Sequence, residues 1–309
     1  MRITASDNIY QVKAPAKINL FLLVGPPRGD GYHPVCSLME AVSLYDTLRA
    51  RRAPGAGITL RILAGEAGGS DAAAIGGLPP EKNTVLRAAR ALERAAGISF
   101  DAELELVKQI PVAAGLGGGS SDAAAALRLL TAMYELDIPE EEMSRLALSV
   151  GADVPFFLEE GVRLAEGVGE RLTALPPLPG HAIVLVAPGF ALAASAAYQR
   201  FDELSAATAA GFHSRCAVVR RSLSSLDDFD ALAAMLENDL ELPATAICRD
   251  IKEAKRQLAA AGCAAVLMSG SGPTVFGLFP DEAGARTAAA GLQRASSRVL
   301  VVKPHVTAN

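Results

Sequence analysis

The amino-acid sequence predicts two α+β domains in tandem. The chain has 309 residues, more than a typical single domain, and half of them are apolar, which is enough to bury a core in each of two domains. Strand-like and helix-like segments follow one another along the chain, and a proline-rich stretch at residues 175–180 separates two such series. We therefore predict an N-terminal domain over residues 1–175 and a C-terminal domain over residues 176–309.

The elements of both domains are predicted from local signals. Asn83 favours the start of a helix and Gly97 favours its end, and residues 64–80, rich in Gly, Ala and Pro, favour a loop. Hydrophobic periodicity predicts further helices at residues 121–134, 140–150, 229–236 and 251–261. Apolar runs and alternation predict strands at residues 17–24, 58–63, 102–110, 183–187, 264–268 and 275–279.

Charge and residue usage restrict the function classes. The formal net charge is −5, so a general nucleic-acid or anionic-membrane surface is not expected. Neither residues 1–12 nor any other segment carries the apolar run of an export signal or a membrane span. The four cysteines form no Cys-x-x-Cys pair and the four histidines show no metal-ligand spacing. We expect a cytoplasmic protein with reduced thiols, without a protein-built zinc site and without nucleic-acid or membrane partners.

The strongest chemical signal is a glycine-rich segment that leads directly into a predicted helix. Residues 111–122 read Pro-Val-Ala-Ala-Gly-Leu-Gly-Gly-Gly-Ser-Ser-Asp. Glycines allow a close backbone approach, and the N–H groups and positive dipole of a helix N-terminus favour a phosphate. Ser120 and Ser121 can add hydroxyl ligands to a phosphate or to Mg²⁺. The alternative is a flexible loop whose Ser or Asp residue only caps the helix.

Two familiar phosphate motifs fit this segment poorly. A P-loop requires a Gly-Lys dipeptide before Ser or Thr, and the chain contains none. A dinucleotide-binding Rossmann motif requires its glycines directly after a strand. Here Pro111 and several further residues intervene, although Asp137 lies near the position of the acidic residue.

A second polar group lies near the N-terminus. Lys17 and Asn19 are two residues apart on a predicted strand, so their side chains share one face. Lys17, in an otherwise apolar strand, either extends its ammonium group to solvent or meets an anion. The Asp-Gly-Tyr-His segment at residues 30–33 predicts a turn that presents a phenol and an imidazole together, although an ordinary surface turn reads the same way.

Two later segments complete the candidate chemistry. The Ser-Gly-Ser-Gly-Pro-Thr segment at residues 269–274 is either a backbone approach to a ligand or a tight connection. Asp153 is the lone acid in a long apolar stretch, and Val154 precedes a proline, so we expect Val154 to be extended and Asp153 to lie at a sharp helix exit. Such a carboxylate suits a general base in a dry pocket, or else caps a turn.

In this order, the segments resemble the motifs of the GHMP kinase superfamily of small-molecule kinases. The resemblance spans residues 14 to 279 and is closest to the branch that phosphorylates the 2-hydroxyl of a cytidine-diphosphate-linked methylerythritol in non-mevalonate isoprenoid (terpenoid) biosynthesis. The matching segments are residues 14–20, 30–33, 42–46, 115–122, 151–155, 165–169 and 268–274.

This resemblance implies a fold, cofactors and partners. The fold is the two-domain GHMP kinase fold, with a ribosomal-protein-like N-terminal domain and a ferredoxin-like C-terminal domain. The cofactors are ATP and Mg²⁺, with the metal carried by ATP rather than by protein ligands. The partner is a small-molecule substrate, and we expect a monomer or a weak homodimer.

The resemblance also implies site residues. Asp153 matches the catalytic aspartate and Lys17 the lysine beside it. The implied substrate-binding residues are Asn19 at the erythritol end, and Tyr32, His33 and Tyr198 around the cytosine. The implied ATP-binding residues are Asn83, Lys108, Pro111, Val112, Ala113, Ala114, Gly115, Leu116, Gly117, Gly118, Gly119, Ser120 and Ser121. Two departures are Ala113, where the family often has glycine, and residues 191–197, which lack the threonine expected before Tyr198.

Two other functions remain open at this point. One is another kinase of the superfamily, acting on mevalonate or homoserine, and the Asp-Gly-Tyr-His segment argues against it. The other is a catalytically inactive, ligand-binding regulator on the same fold. The presence of both Lys17 and Asp153 argues against the regulator.

Overall fold

The computed structural model describes residues 1–6, 8–65, 77, 79–159, 161–204, 209–223, 226–292 and 297–305. Most of the loop predicted at residues 64–80 lies outside this part of the chain. Within it, two β-sheets and their flanking helices account for the elements. No helix in these ranges combines the length and apolar character that a membrane crossing requires.

The elements have the following bounds. The strands are β1 (Ile3–Ser6), β2 (Ile9–Val24), β3 (Val35–Arg52), β4 (Ile58–Ala64), β5 (Ala102–Lys108), β6 (Arg163–Gly167), β7 (Arg171–Ala174), β8 (Ala182–Pro188), β9 (Glu237–Asn238), β10 (Ala265–Met268), β11 (Val275–Phe279) and β12 (Ser297–Val302). The helices are α1 (Thr84–Ala96), α2 (Gly118–Met133), α3 (Glu140–Val150), α4 (Val154–Leu158), α5 (Ala194–Leu204), α6 (Phe212–Leu223), α7 (Phe229–Ala234), α8 (Glu241–Ile247), α9 (Asp250–Ala260) and α10 (Glu282–Gly291).

The first sheet is built around the long antiparallel pair β2–β3. Its order is β1-β2-β3-β5-β4, with the β6–β7 hairpin attached to β3 and β9 attached to β2. Residues 47–52 of β3 pair with β5, whereas residues 35–39 pair with β6. Along its length, β3 therefore changes its partner on this side from β6 to β5.

The helices α1, α2 and α3 form a common core with this sheet. Residues 123–126 are four consecutive alanines, all fully buried. Such small side chains let α2 pack closely against both β2 and α1. The N-terminus of α2 is thereby held in a fixed place at the end of the glycine-rich segment.

The second sheet confirms the expected ferredoxin-like domain. Its order is β10-β11-β8-β12 and its three pairs are antiparallel. In chain order, β8, helices, β10, β11, α10 and β12 follow the split β-α-β pattern of that fold. The C-terminal half also contributes to the first sheet, because β9 pairs with β2. The domain boundary between residues 175 and 176 therefore stays a prediction.

The elements agree with the sequence to different degrees. Residues 140–150 and 275–279 have the predicted bounds, and Asn83 and Gly97 cap α1 as expected. The extended conformation expected for Val154 is wrong, because α4 begins at Val154. Pro155 stands in the first turn of α4, where its missing N–H and fixed φ cost nothing.

Candidate active site

Lys17 and Asp153 meet at the centre of the site. The ammonium nitrogen of Lys17 lies 3.6 Å from Oδ2 of Asp153. Lys17 also donates a hydrogen bond to Oδ1 of Asn19, and Nδ2 of Asn19 donates to Oγ of Ser37 over 2.7 Å. The side chain of Lys17 is only 5% exposed, so Lys17 is paired with acceptors rather than extended to solvent. A register shift between Asn19 and Phe21 marks a β-bulge beside this pair.

The carboxylate of Asp153 faces a cavity. Its side chain is 38% exposed, so the expected dry pocket is wrong. The reason is that the apolar neighbours Val154, Phe156 and Phe157 pack into the core and do not cover Asp153. Asp153 makes no capping hydrogen bond to α4, which removes the turn-cap alternative. The group is therefore placed to meet a substrate hydroxyl.

The residues assigned to catalysis and to the substrate line one cavity of about 720 Å³. Its wall includes the six predicted residues Lys17, Asn19, Tyr32, His33, Asp153 and Tyr198. The rings of His33 and Tyr198 are tilted by 36°, with centroids 5.1 Å apart. Tyr32 is 61% exposed, so its ring is available to a planar ligand. Burial and, second, the charge of Asp153 raise the pKa of Tyr198, which keeps its phenol neutral.

The glycine-rich segment borders a second cavity, of about 310 Å³. The N-cap of α2 is Gly117, which has no side chain to satisfy the first N–H groups of the helix. These amides and the helix dipole fit a phosphate group. The predicted residues on the wall are Asn83, Lys108, Pro111, Val112, Ala113, Ala114, Gly115, Leu116, Gly117, Gly118, Gly119 and Ser120. Ser121 is not on this wall and its side chain is fully buried, so its contact with ATP stays a prediction.

The two cavities share part of their walls. Gly115, Gly117 and Ser120 line both of them. A ligand on the glycine-rich segment and a second ligand beside Asp153 would therefore be neighbours that share these three residues. This arrangement suits the transfer of a group from one bound molecule to another.

The glycines are required by the protein's own packing. Gly117 has φ +69°, and a Cβ atom there would lie 2.9 Å from Cγ of Lys17 and from the ring of Phe157. Gly115 has φ +76°, and its Cβ would clash with the carbonyl oxygen of Ser269. Ala113 has φ +50°, a left-handed conformation that favours glycine, at the position where the superfamily often has glycine.

The segment at residues 269–274 holds the glycine-rich segment in place. Oγ of Ser269 donates to the carbonyl of Gly115 over 3.0 Å, and the amide of Thr274 donates to the carbonyl of Ala114 over 3.3 Å. Gly270 and Ser271 also line the larger cavity. The segment is therefore a tight connection that also faces the larger cavity, and its approach to a ligand stays a prediction.

Lys108 lies on the wall of the smaller cavity, but its ammonium group is already paired with carboxylates of the protein. The buried ammonium group forms ion pairs with Asp46 and, at 2.7 Å, with Asp122. Burial lowers the pKa of Lys108, but the two carboxylates outweigh this and raise it overall. Burial raises the pKa of Asp122 to about 7 despite the nearby ammonium. Lys108 thus pairs with two buried carboxylates beside the smaller cavity, and its contact with a nucleotide stays a prediction.

Other residues of the site were not found by sequence reasoning. Ser37 and Asp202 line the larger cavity, and Oγ1 of Thr84 donates to the carbonyl of Gly119 over 2.7 Å. Asn83 caps α1 by accepting from the amides of Val85 and Leu86, which places Thr84 against the glycine-rich segment. Nothing in the sequence marks Ser37, because it contacts Asn19 only through the pairing of β2 with β3.

Two family models and many named proteins match this chain in sequence. The family model of the GHMP kinases N terminal domain matches residues 83–161, and that of the GHMP kinases C terminal domain matches residues 219–297. The 4-diphosphocytidyl-2-C-methyl-D-erythritol kinase of Pelotomaculum thermopropionicum is 41% identical and covers 94% of this chain and 96% of its own. The protein of the same name from Parvibaculum lavamentivorans is 44% identical and covers 91% of this chain and 93% of its own.

Solved structures agree with these matches. A crystal structure of 4-(cytidine 5'-diphospho)-2C-methyl-D-erythritol kinase superimposes with a TM-score of 0.69 at 34% identity and covers 96% of this chain and 100% of that one. A homoserine kinase from Cytophaga hutchinsonii superimposes with a TM-score of 0.74 at 19% identity, with 98% of each chain covered. At that identity the likeness shows the fold alone. By its sequence relatives, its two family-model matches and its fold, this chain belongs to the GHMP kinase family.

Proposed function

We propose that this protein transfers the γ-phosphoryl group of ATP to the 2-hydroxyl of 4-diphosphocytidyl-2-C-methyl-D-erythritol, a step of non-mevalonate isoprenoid biosynthesis. The observation that carries this proposal is one cavity that joins the Lys17–Asp153 pair to a recess of Tyr32, His33 and Tyr198. The Lys17–Asp153 pair can contact a substrate hydroxyl, and the three rings can contact a planar base. Relatives of this chain at about 40% identity bear the name of this kinase.

The aromatic recess accounts for recognition of the cytidylyl end. An exposed aromatic face offers a base a stacking surface, which contributes about 1–3 kcal/mol per base in nucleic-acid systems. Tyr32 supplies such a face and Tyr198 faces the neighbouring His33. The imidazole of His33 can bond to the edge of the ring. Asn19, deeper in the cavity and beside Lys17, contacts the erythritol end.

The protein promotes the phosphoryl transfer by positioning ATP and the acceptor hydroxyl and by stabilising negative charge. ATP lies on the glycine-rich segment, with its phosphates at the N-terminus of α2. Asp153 orients the acceptor hydroxyl and takes its proton, and Lys17 stabilises the charge that develops on the transferred group. Mg²⁺ neutralises phosphate charge when it is bound with ATP. The described residues contain no group of three or more acidic, His or Cys side chains that could hold a metal ion.

The alternative acceptors mevalonate and homoserine have weaker support. Structures of kinases with those names share only the fold with this chain, at 12–19% identity. The inactive regulator is disfavoured by the 3.6 Å contact between Lys17 and Asp153. We also propose a cytoplasmic location and a monomer or weak homodimer, in keeping with the free thiols of the four cysteines.

A panel of acceptors tests the proposed function. The protein is incubated with Mg-ATP and one of three acceptors, the cytidylyl methylerythritol, mevalonate or homoserine, and ADP is measured. Mass spectrometry and ³¹P NMR then locate the new phosphate. We expect ADP and a 2-phosphate only with the cytidylyl compound. A preference for either other acceptor would assign a different kinase activity, and no ADP with any acceptor would support the regulator.

A further inference from the structure

The carboxylate of Asp202 lies beside the substrate recess and has no role in the mechanism described above. Nε2 of His33 and Oδ1 of Asp202 are 2.8 Å apart. The side chain of His33 is 7% exposed and that of Asp202 is 43% exposed, and both residues line the larger cavity. Asp202 therefore contacts the one imidazole that borders the proposed cytosine site.

This contact determines which nitrogen of a neutral His33 carries the proton. A carboxylate only accepts hydrogen bonds. The hydrogen must then be on Nε2 of His33, and Nδ1 keeps a free lone pair. Among the described residues, the imidazole of His33 makes its hydrogen bond through Nε2 and none through Nδ1.

The surrounding rings fix the plane of the imidazole. The ring of Tyr198 lies 5.1 Å from that of His33, and the ring of Phe201 meets it edge-on at 6.0 Å. Tyr198 and Asp202 are four residues apart on α5, so both project from the same face of that helix. One helix thus supplies the ring that orients the imidazole and the carboxylate that orients its proton.

We propose that Asp202 is a positioning residue that sets the selectivity for cytosine over uracil by holding His33 as the Nε2–H tautomer. The inference rests on the proposed function, in which His33 bonds to the base. The free lone pair on Nδ1 accepts from the 4-amino group of cytosine. Uracil has a carbonyl oxygen at that position. This oxygen and Nδ1 are both acceptors, so no hydrogen bond can form between them.

Removal of Asp202 lets His33 take either tautomer. With the hydrogen on Nδ1, His33 would donate to the uracil carbonyl and lose its bond to the cytosine amino group. The loss of such a paired group changes affinity by about 5- to 150-fold. The selectivity between the two bases should fall by a factor in that range, and recognition of ATP should be unaffected.

The test compares cytidine diphosphate with uridine diphosphate as competitive inhibitors against the cytidylyl acceptor at pH 8. Wild-type protein should bind cytidine diphosphate more tightly, and Asp202→Ala should reduce this ratio by about 5- to 150-fold. The KM for the acceptor should rise while the KM for ATP stays constant. Glu203→Ala is the matched control, because it removes the adjacent exposed carboxylate on α5 and should keep the wild-type ratio.

A spectroscopic measurement separates the tautomer from a merely structural role. Long-range ¹H–¹⁵N spectra of ¹⁵N-histidine-labelled protein, with His33→Gln used for assignment, should show the Nε2–H form in the wild type and a mixture in Asp202→Ala. If the wild type selects cytidine diphosphate but Asp202→Ala keeps both the ratio and the tautomer, this inference alone is overturned. If cytidine diphosphate does not compete in the wild type, the proposed function fails and this inference with it.

Discussion

The Lys17–Asp153 contact joins two residues that are 136 positions apart in the chain. Lys17 comes from a strand of the first sheet and Asp153 from the turn between α3 and α4. The ammonium group is buried and the carboxylate faces the larger cavity. An acceptor hydroxyl in that cavity can therefore reach the carboxylate without displacing the lysine.

Asp153→Asn should keep the fold and lose turnover. The amide fills the same space but cannot accept the hydroxyl proton, and a proton acceptor contributes about 10²- to 10⁴-fold to the rate. Single-turnover measurements with the cytidylyl acceptor isolate the chemical step. The matched control is Asp137→Asn, which changes an exposed aspartate away from both cavities. A single-turnover rate within tenfold of the wild type would exclude Asp153 as the proton acceptor.

Lys108→Met should destabilise the protein because it leaves Asp46 and Asp122 buried together without a cation. Breaking a buried ion pair in this way costs about 3–5 kcal/mol. Urea unfolding measures the effect, and the double variant Lys108→Met with Asp122→Asn should recover part of the loss. Lys252→Met, at an exposed position of α9, is the control. If Lys108→Met raised the KM for ATP without changing stability, the ammonium group would serve the nucleotide after all.

The residues of the site differ in how far the sequence could reveal them. Lys17 and Asp153 were identified because each is a lone charge in an apolar stretch, a signal that is local. Lys108 gave no local sign of its carboxylate partners, since Asp46 is 62 residues away on another strand. Asp202 lies 169 residues from His33, and only the packing of α5 against the turn before β3 brings them together.

At the scale of elements, the glycine-rich segment offers a test of why its glycines are needed. Gly117 and Gly97 have nearly the same left-handed conformation, with φ of +69° and +67°. A Cβ atom at Gly97 would meet nothing within 4 Å, whereas one at Gly117 would press on Lys17 and Phe157. The pair therefore separates the cost of the backbone conformation from the cost of contact.

Gly97→Ala should lower the free energy of unfolding by about 1–2 kcal/mol, the cost of a left-handed residue with a Cβ atom. Gly117→Ala should lower it further, because Lys17 or the ring of Phe157 must move. It should also slow turnover, since Lys17 is displaced from Asp153. Urea unfolding and steady-state kinetics of both variants provide the comparison. Equal losses of stability with unchanged turnover would show that contact at Gly117 is unimportant.

Among the described elements, the sequence predicts five of the ten α-helices and six of the twelve strands. A helix such as α3 is defined by a periodicity within its own residues, and its predicted bounds are correct. The strands β3, β6 and β7 were not predicted, and β2 begins eight residues earlier than expected. Their pairing partners are distant in sequence, so their stability depends on contacts that local patterns do not contain.

At the scale of the whole molecule, a buried histidine joins the two sheets. His181 stands directly before β8 of the second sheet, and its Nε2 lies 2.9 Å from Oε2 of Glu40 on β3 of the first sheet. Its Nδ1 lies 2.8 Å from the carbonyl oxygen of Pro179. Both partners accept hydrogen bonds, so the arrangement favours an imidazolium that donates from both nitrogens.

The pH dependence of stability should reveal this ion pair. Burial lowers the pKa of His181, but the hydrogen bond and charge of Glu40 and the carbonyl of Pro179 raise it above its ordinary value of 6.5 overall. The folded protein therefore holds this proton more tightly than the unfolded chain does. The stabilisation is complete below pH 6.5 and is lost as the pH rises through the folded pKa of His181. Hydrogen bonds to charged groups contribute about 1.5–3 kcal/mol.

His181→Gln should accordingly cost about 1.5–3 kcal/mol at pH 6 and less at pH 9. Urea unfolding of the wild type and the variant at intervals across this range gives the difference curve, in which other titrating groups cancel. His213→Gln is the control, because His213 is exposed on α6 and its removal should leave the wild-type pH dependence in place. Parallel curves for wild type and His181→Gln would show that the imidazole is bound in one charge state throughout. The stability of the contact between the two sheets would then be independent of the protonation of His181.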